Sequence, residues 1–210
     1  MQKYFDFKEE INPKELKEAA EIIKQGGIVV FPTETVYGIG TNGLNESAIR
    51  KLFEVKNRPL NKPISLLVSD IEMIKEYTTN ITDLEYKIIE KFFPGPLTIV
   101  LKKKNSIPNI LTSQGTTVGI RMPDSEIARK LIDLVGVPIA TSSANISGNA
   151  SEIDVQSVIE DLGEKVDCYI DGGKSKIGMG STVIEVVNNE IKILREGSIT
   201  KKEIMEKCSI

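Results

Sequence analysis

Short apolar runs closed by proline, glycine or polar residues recur along this chain, and amphipathic stretches separate the early ones. IVVF at 28–31 ends at Pro32, ISLLV occupies 64–68, LTIVLK 97–102, TVGIRM 117–122 before Pro123, and VPIAT 137–141. Runs this short and this rich in β-branched residues read as strands, whereas the stretches between them place apolar residues at helical spacing. The first helix is signalled by Asn12 and Pro13, carries Leu16, Ala19, Ala20 and Ile23 on one stripe, and stops at Gly26-Gly27. Further helices are expected at 46–55, 71–77, 83–92, 125–134, 155–162 and 201–207. Late in the chain STVIEVV (181–187) meets EIKILR (190–195) across Asn188-Asn189, a hairpin signal. Strands that alternate with helices and then pair locally predict an α/β fold with a mixed sheet, residues 1–210 forming a single domain. The stretch PTETVYGIGTNG, 32–43, reads as a loop.

The chain contains no histidine, which removes the Ser-His-Asp and Cys-His relays and every imidazole metal ligand. Its two cysteines, Cys168 and Cys208, stand far apart and outside any C-x-x-C, as expected in a reducing cytoplasm. MQKYFDFKEE lacks the basic start and apolar core of a secretory leader, and no run is long enough to span a membrane. A net charge of −3 argues against a dedicated nucleic-acid binder with a broad basic face. Chemistry is left to lysine, arginine, carboxylates, hydroxyls and backbone amides.

Two glycine motifs are decoys. Gly38-Ile-Gly40-Thr-Asn-Gly43 matches the dinucleotide fingerprint, but PTETVY intervenes between strand and glycines and no acid follows at 58–64. Gly173-Lys174-Ser175 mimics the end of a phosphate-binding loop, but Cys168 stands where its first glycine belongs. KNRPLNKP at 56–63 groups Lys56, Arg58 and Lys62 between a helix end and a strand. It reads equally as a counter to the helix dipole or as a phosphate clamp of exposed loop cations. Hydroxyl-rich loops at 112–117, 141–145 and 180–182 border predicted strands, where ligand crevices of open sheets form. Thr117, Gly119 and Arg121 share one strand face suited to a carboxylate, and Arg195 ends the last strand. Lys102-Lys103-Lys104 reads first as a solvated strand end and second as a weak RNA contact.

Taken in order, FPTETVYGIG (31–40), KNRPLNKP (56–63), FFPGPLTIVL (92–101), TVGIRMP (117–123), VPIATSSANISG (137–148), DGG (171–173), GSTVIEV (180–186) and LREG (194–197) resemble the YrdC/TsaC-type threonylcarbamoyladenylate synthases. The chain stops just past LREG and so resembles the short form. The resemblance implies a twisted sheet with a positively lined cleft and a nucleotidyltransferase that makes L-threonylcarbamoyl-AMP and pyrophosphate from ATP, L-threonine and bicarbonate. The product would pass to a separate transferase complex that modifies tRNA. By the same resemblance Thr35, Leu67, Arg121, Thr141 and Ser181 hold L-threonine. Lys56, Arg58, Lys62, Thr117, Ser143, Asn145, Ser151 and Arg195 hold ATP, with Thr182 in support and Lys56 and Arg58 at the catalytic centre. Mg²⁺ would accompany ATP, on the leaving pyrophosphate, and no residue is assigned to it. Leu67 stands where some family members have histidine, which makes that contact apolar. Two other readings compete: an RNA-binding module of the same fold, and the carbamoyl-adenylating domain of hydrogenase maturation factors, whose companion metal-binding modules are absent from this sequence.

Overall fold

Asn12 caps the first helix as expected, its side chain accepting from the backbone N–H groups of Lys14 and Glu15, and the stripe from Leu16 to Ile23 is buried. The computed structural model describes residues 2–209. Its strands are β1 (Lys3–Asp6), β2 (Val29–Phe31), β3 (Gly38–Asn42), β4 (Ser65–Leu67), β5 (Leu97–Lys102), β6 (Thr117–Arg121), β7 (Ile139–Ser143), β8 (Cys168–Asp171), β9 (Thr182–Val187) and β10 (Glu190–Arg195). The helices are α1 (Pro13–Lys24), α2 (Glu46–Val55), α3 (Ile71–Tyr77), α4 (Asp83–Phe92), α5 (Glu126–Val135), α6 (Val155–Leu162) and α7 (Lys201–Cys208). One ten-stranded sheet runs β1-β8-β2-β3-β7-β4-β6-β5-β9-β10. The β1–β8, β8–β2, β4–β6 and β5–β9 pairs are parallel and the others antiparallel, so the sheet is mixed as expected.

Alternation along β2 explains its uninterrupted apolar sequence. Val30 joins one apolar cluster while Val29 and Phe31 join another, so both faces of the strand are buried. The second cluster contains the inner faces of α1 and α5, which cover the β1-β8-β2 end of one face. The first contains residues of α2, α3, α4, α6 and α7 on the opposite face, packed against Leu66, Ile99, Ile120, Ala140 and Ile184. The α1/α5 layer does not extend over the other half of its face, and the cleft described below opens there.

The structure corrects the sequence reading at 38–42, expected in a loop and found as β3, antiparallel to both β2 and β7. Glycine serves close packing at this point. A Cβ on Gly40 would lie 2.6 Å from Ile139 Cγ2 and 2.9 Å from Thr141 Oγ1, and none of Gly38, Gly40 or Gly43 has a positive φ. Gly40→Ala is therefore expected to lose about 1–3 kcal/mol in chemical denaturation through overpacking. An unchanged midpoint would show that β7 yields freely. Strands β1 and β8 were also not anticipated. In β1 only Phe5 is buried. β8 ends in a buried aspartate, Asp171, which accepts from Tyr4 Oη at 2.6 Å and from the Gly173 N–H at 2.9 Å.

Candidate functional site

On the uncovered half of the sheet, alternate residues of adjacent strands line one cavity of about 370 Å³. Ser65 and Leu67 come from β4, Gly119 and Arg121 from β6, Thr98 and Val100 from β5, Thr141 and Ser143 from β7, and Val183 from β9. The intervening Leu66, Ile99, Ile120, Ala140 and Ile184 point into the apolar core, so most of the site floor follows from the two-residue period of the strands. Thr33, Thr35 and Tyr37 close one end, and Arg58, Ser151, Ser181, Leu194 and Arg195 border the rest. Leu194 and Arg195 both reach the cavity because the β9–β10 register shifts between Ile193 and Arg195, a bulge that re-aims the strand end.

Three guanidinium groups enter this space. Arg58 donates through Nε to Lys62 O at 3.0 Å and through Nη2 to Pro63 O at 2.8 Å, so its own loop fixes it. Arg195 donates through Nη2 to Ser181 O and Oγ at 2.8 and 3.1 Å, and Ser181 Oγ lies 2.7 Å from Thr98 Oγ1. Arg121 is buried, with Nε on Gly95 O at 3.2 Å and Nη2 on Thr35 Oγ1 at 2.9 Å and on the Glu34 carboxylate at 2.7 Å. Desolvation, then the charge of Arg195, lowers the pKa of Arg58. Desolvation, then Arg121, lowers that of Arg195. The cations thus repel one another across the cavity. Among the described residues, Glu34 is the carboxylate paired with them.

The residues singled out from sequence separate into two groups. Thr35, Arg58, Leu67, Arg121, Thr141, Ser143, Ser151, Ser181 and Arg195 line the cavity, whereas Lys56, Lys62, Thr117 and Asn145 do not. Lys56 corrects the picture of an exposed cation loop. It is 1% exposed at the end of α2, and its ammonium donates to the Ser143 and Asn145 carbonyls. Burial, reinforced by Arg58, pushes its pKa down to about 7. Lys62 and Thr117 are exposed. Asn145 is buried, its amide bound to Ile146 O and Asn149 O. Thr182 is buried and bonds Ile199 O at 2.6 Å, bracing the chain after β10. In the lysine run, Lys103 reaches Ile107 O and Lys104 reaches Lys75 O. Thr33, Ser65 and Thr98 were missed. For Ser65 and Thr98 the signal was a lone hydroxyl inside an otherwise apolar strand run, ISLLV and LTIVLK, whereas Thr33 lies in the loop after β2.

The profile of the Sua5/YciO/YrdC family, described as Telomere recombination, matches residues 21–197. The chain belongs to this family. It is 41% identical to the threonylcarbamoyl-AMP synthase of Pyrococcus abyssi, over 94% of this chain and 58% of that protein. It is 44% identical to a relative from Methanocaldococcus jannaschii, over 90% of this chain and 91% of that one. The crystal structure of P. abyssi Sua5 complexed with L-threonine superposes with a TM-score of 0.94 at 40% identity, covering 97% of this chain and 60% of that one. The chain therefore spans under two thirds of the P. abyssi relative and nearly the whole of the M. jannaschii one.

Among the described residues no group of three or more His, Cys, Asp or Glu is placed to hold a metal ion. The donors of the cavity are hydroxyls and guanidinium groups, which suit anions. No helix among the described residues is long and apolar enough to cross a membrane.

Proposed function

We propose that this Sua5/YciO/YrdC-family protein is a nucleotidyltransferase that makes L-threonylcarbamoyl-AMP and pyrophosphate from ATP, L-threonine and bicarbonate. The observation that carries the reading is the uneven charge of one cavity. Arg58 and Arg195 have no carboxylate within ion-pair distance among the described residues, whereas Arg121 is paired with Glu34. The first pair suits the triphosphate of ATP and the second end suits a zwitterionic amino acid. The L-threonine complex of the P. abyssi relative supports the amino-acid assignment.

In this reading Thr35, Leu67, Arg121, Thr141 and Ser181 surround L-threonine, and Arg58, Ser143, Ser151 and Arg195 meet the nucleotide. Lys56, enclosed beneath the Ser143–Asn145 backbone, shapes the site rather than touching the phosphates. The threonine ammonium loses a proton to become the amine, and bicarbonate gives carbon dioxide by loss of hydroxide. The nitrogen–carbon bond forms with loss of a second proton to leave a carbamate, the hydroxide and one proton departing as water. A carbamate oxygen then attacks the α-phosphorus of ATP and the bond to pyrophosphate breaks. The nucleophile belongs to the substrate, so a chain without histidine suffices. The protein contributes alignment and neutralisation of charge on the leaving pyrophosphate. Mg²⁺ enters as part of the MgATP substrate. The product, a mixed anhydride, suits a downstream carbamoyl transfer to tRNA in the cytoplasm by a separate transferase complex.

The test is pyrophosphate release with ATP and Mg²⁺, with L-threonine and bicarbonate each added or omitted. Release that needs both is expected. Release indifferent to L-threonine would contradict the proposal.

A further inference from the structure

Glu34 lies beside the cavity but has no place in the scheme above. Its side chain is 8% exposed, and both carboxylate oxygens are enclosed without a well-directed hydrogen bond. Among the described residues its one partner is Arg121 Nη2, at 2.7 Å. A buried carboxylate this poorly served by hydrogen bonds is expensive to keep, which calls for a reason.

The neighbouring hydroxyls supply the rest of the geometry. Thr33 Oγ1 donates to Val36 O at 2.6 Å and lies 2.8 Å from Thr35 Oγ1. A hydroxyl has one proton, so Thr35 must donate to Thr33, and Thr35 in turn accepts from Arg121 Nη2 at 2.9 Å. Thr35 then offers the cavity only a lone pair. Arg121 has Nε on Gly95 O and Nη2 on Thr35 and Glu34, which leaves Nη1 as the unengaged edge among the described residues. This end of the cavity thus presents one cationic donor and one acceptor against a nearly neutral background. The Arg58–Arg195 end presents two guanidinium groups with no paired carboxylate among the described residues.

We propose that Glu34 is a specificity-determining residue that acts through Arg121, sorting the two anionic substrates of one cavity. It reserves the Arg121 end for a zwitterionic amino acid and denies it to polyphosphate. The inference rests on the synthase reading given above. With Glu34 ionised, a carboxylate is met by Arg121 Nη1 and an ammonium or hydroxyl by Thr35, while a triphosphate gains more at Arg58 and Arg195. With its charge removed, Arg121 becomes a third uncompensated guanidinium, and phosphate groups compete for it.

Steady-state pyrophosphate release is measured for wild type, Glu34→Gln and Glu34→Asp, with L-threonine varied at several ATP concentrations. In wild type, ATP is expected to leave the KM for L-threonine unchanged. In Glu34→Gln, excess ATP is expected to compete with L-threonine and to raise its KM about tenfold. Glu34→Asp, which keeps the charge, is expected to remain free of that competition. A folded Glu34→Gln enzyme with lower kcat but no competition would overturn the proposal, and so would failure of both variants to fold, since Glu34 would then be a structural brace. Wild type that releases no pyrophosphate under any combination would instead overturn the synthase reading. Calorimetric competition between pyrophosphate and L-threonine, on wild type and Glu34→Gln, tests the sorting without turnover. Displacement of L-threonine by pyrophosphate is expected only in the variant, and equal displacement in both proteins would refute the sorting role.

Discussion

Replacing Arg58 with alanine is expected to lower kcat/KM for pyrophosphate release by about 10³-fold, in line with the loss of a positioned donor to transition-state charge. The guanidinium is anchored by the Lys62 and Pro63 carbonyls and has no carboxylate partner among the described residues, so it stands ready for an anionic ligand. Those carbonyls belong to exposed residues that water can reach, and the loss of stability should therefore stay within about 1 kcal/mol. Arg58→Lys separates charge from geometry. A lysine ammonium brings the charge without the planar fork that holds both loop carbonyls while facing the cavity, and most of the loss should persist. The measurement is kcat and KM for ATP beside a denaturation midpoint. Full turnover in folded Arg58→Ala would remove this residue from the nucleotide site.

The second large effect concerns stability, and it reverses what a run of loop cations suggests. Lys56→Ala is expected to cost about 3 kcal/mol, because it opens a cavity and strips the Ser143 and Asn145 carbonyls of their shared donor. The effect carries a pH signature. The pKa of Lys56 is lowered from 10.5 to about 7 by burial, then by Arg58. Above about pH 7 the unfolded chain holds a proton that the folded chain has released, so stability rises with pH by up to about 1.4 kcal/mol per unit. A neutral amine keeps two N–H bonds, enough for both carbonyls, so the fold tolerates the loss of charge. Burial raises the Cys168 thiol to about 12 from 9.0, which lowers stability as pH climbs beyond about 9 and closes the useful window there. Denaturation of wild type and Lys56→Met between about pH 7 and about pH 9 isolates the lysine. The upward slope is expected in wild type and absent from the variant, and equal slopes would contradict this assignment.

Most elements were legible in the sequence because local signals and burial agree there. Asn12, Thr82 and Thr200 cap their helices, and Asn188-Asn189 turns the β9–β10 hairpin through positive φ at both residues. Legibility failed where long-range packing decides. The glycines of β3 look like a loop until β7 lies beside them, and Asp171 ends a buried strand only because Tyr4 and the Gly173 backbone serve it. In the site, Arg121 was readable from strand periodicity. Lys56 was not, since nothing local distinguishes a cation that folds inward from its exposed neighbours Asn57 and Pro59. Glu34 was missed because its partner is 87 residues away in sequence. Thr98 and Ser65 belonged to a pattern that emerges only when alternate residues of adjacent strands are laid side by side.

The central claim is that one cavity joins L-threonine, a carbonate carbon and the α-phosphate of ATP in a single molecule. Mass spectrometry of the product made with ATP, L-threonine and carbon-13-labelled bicarbonate tests it most directly. The account expects L-threonylcarbamoyl-AMP carrying the label, formed in step with pyrophosphate. AMP or ADP alone, or an adenylate without the labelled carbon, would contradict it.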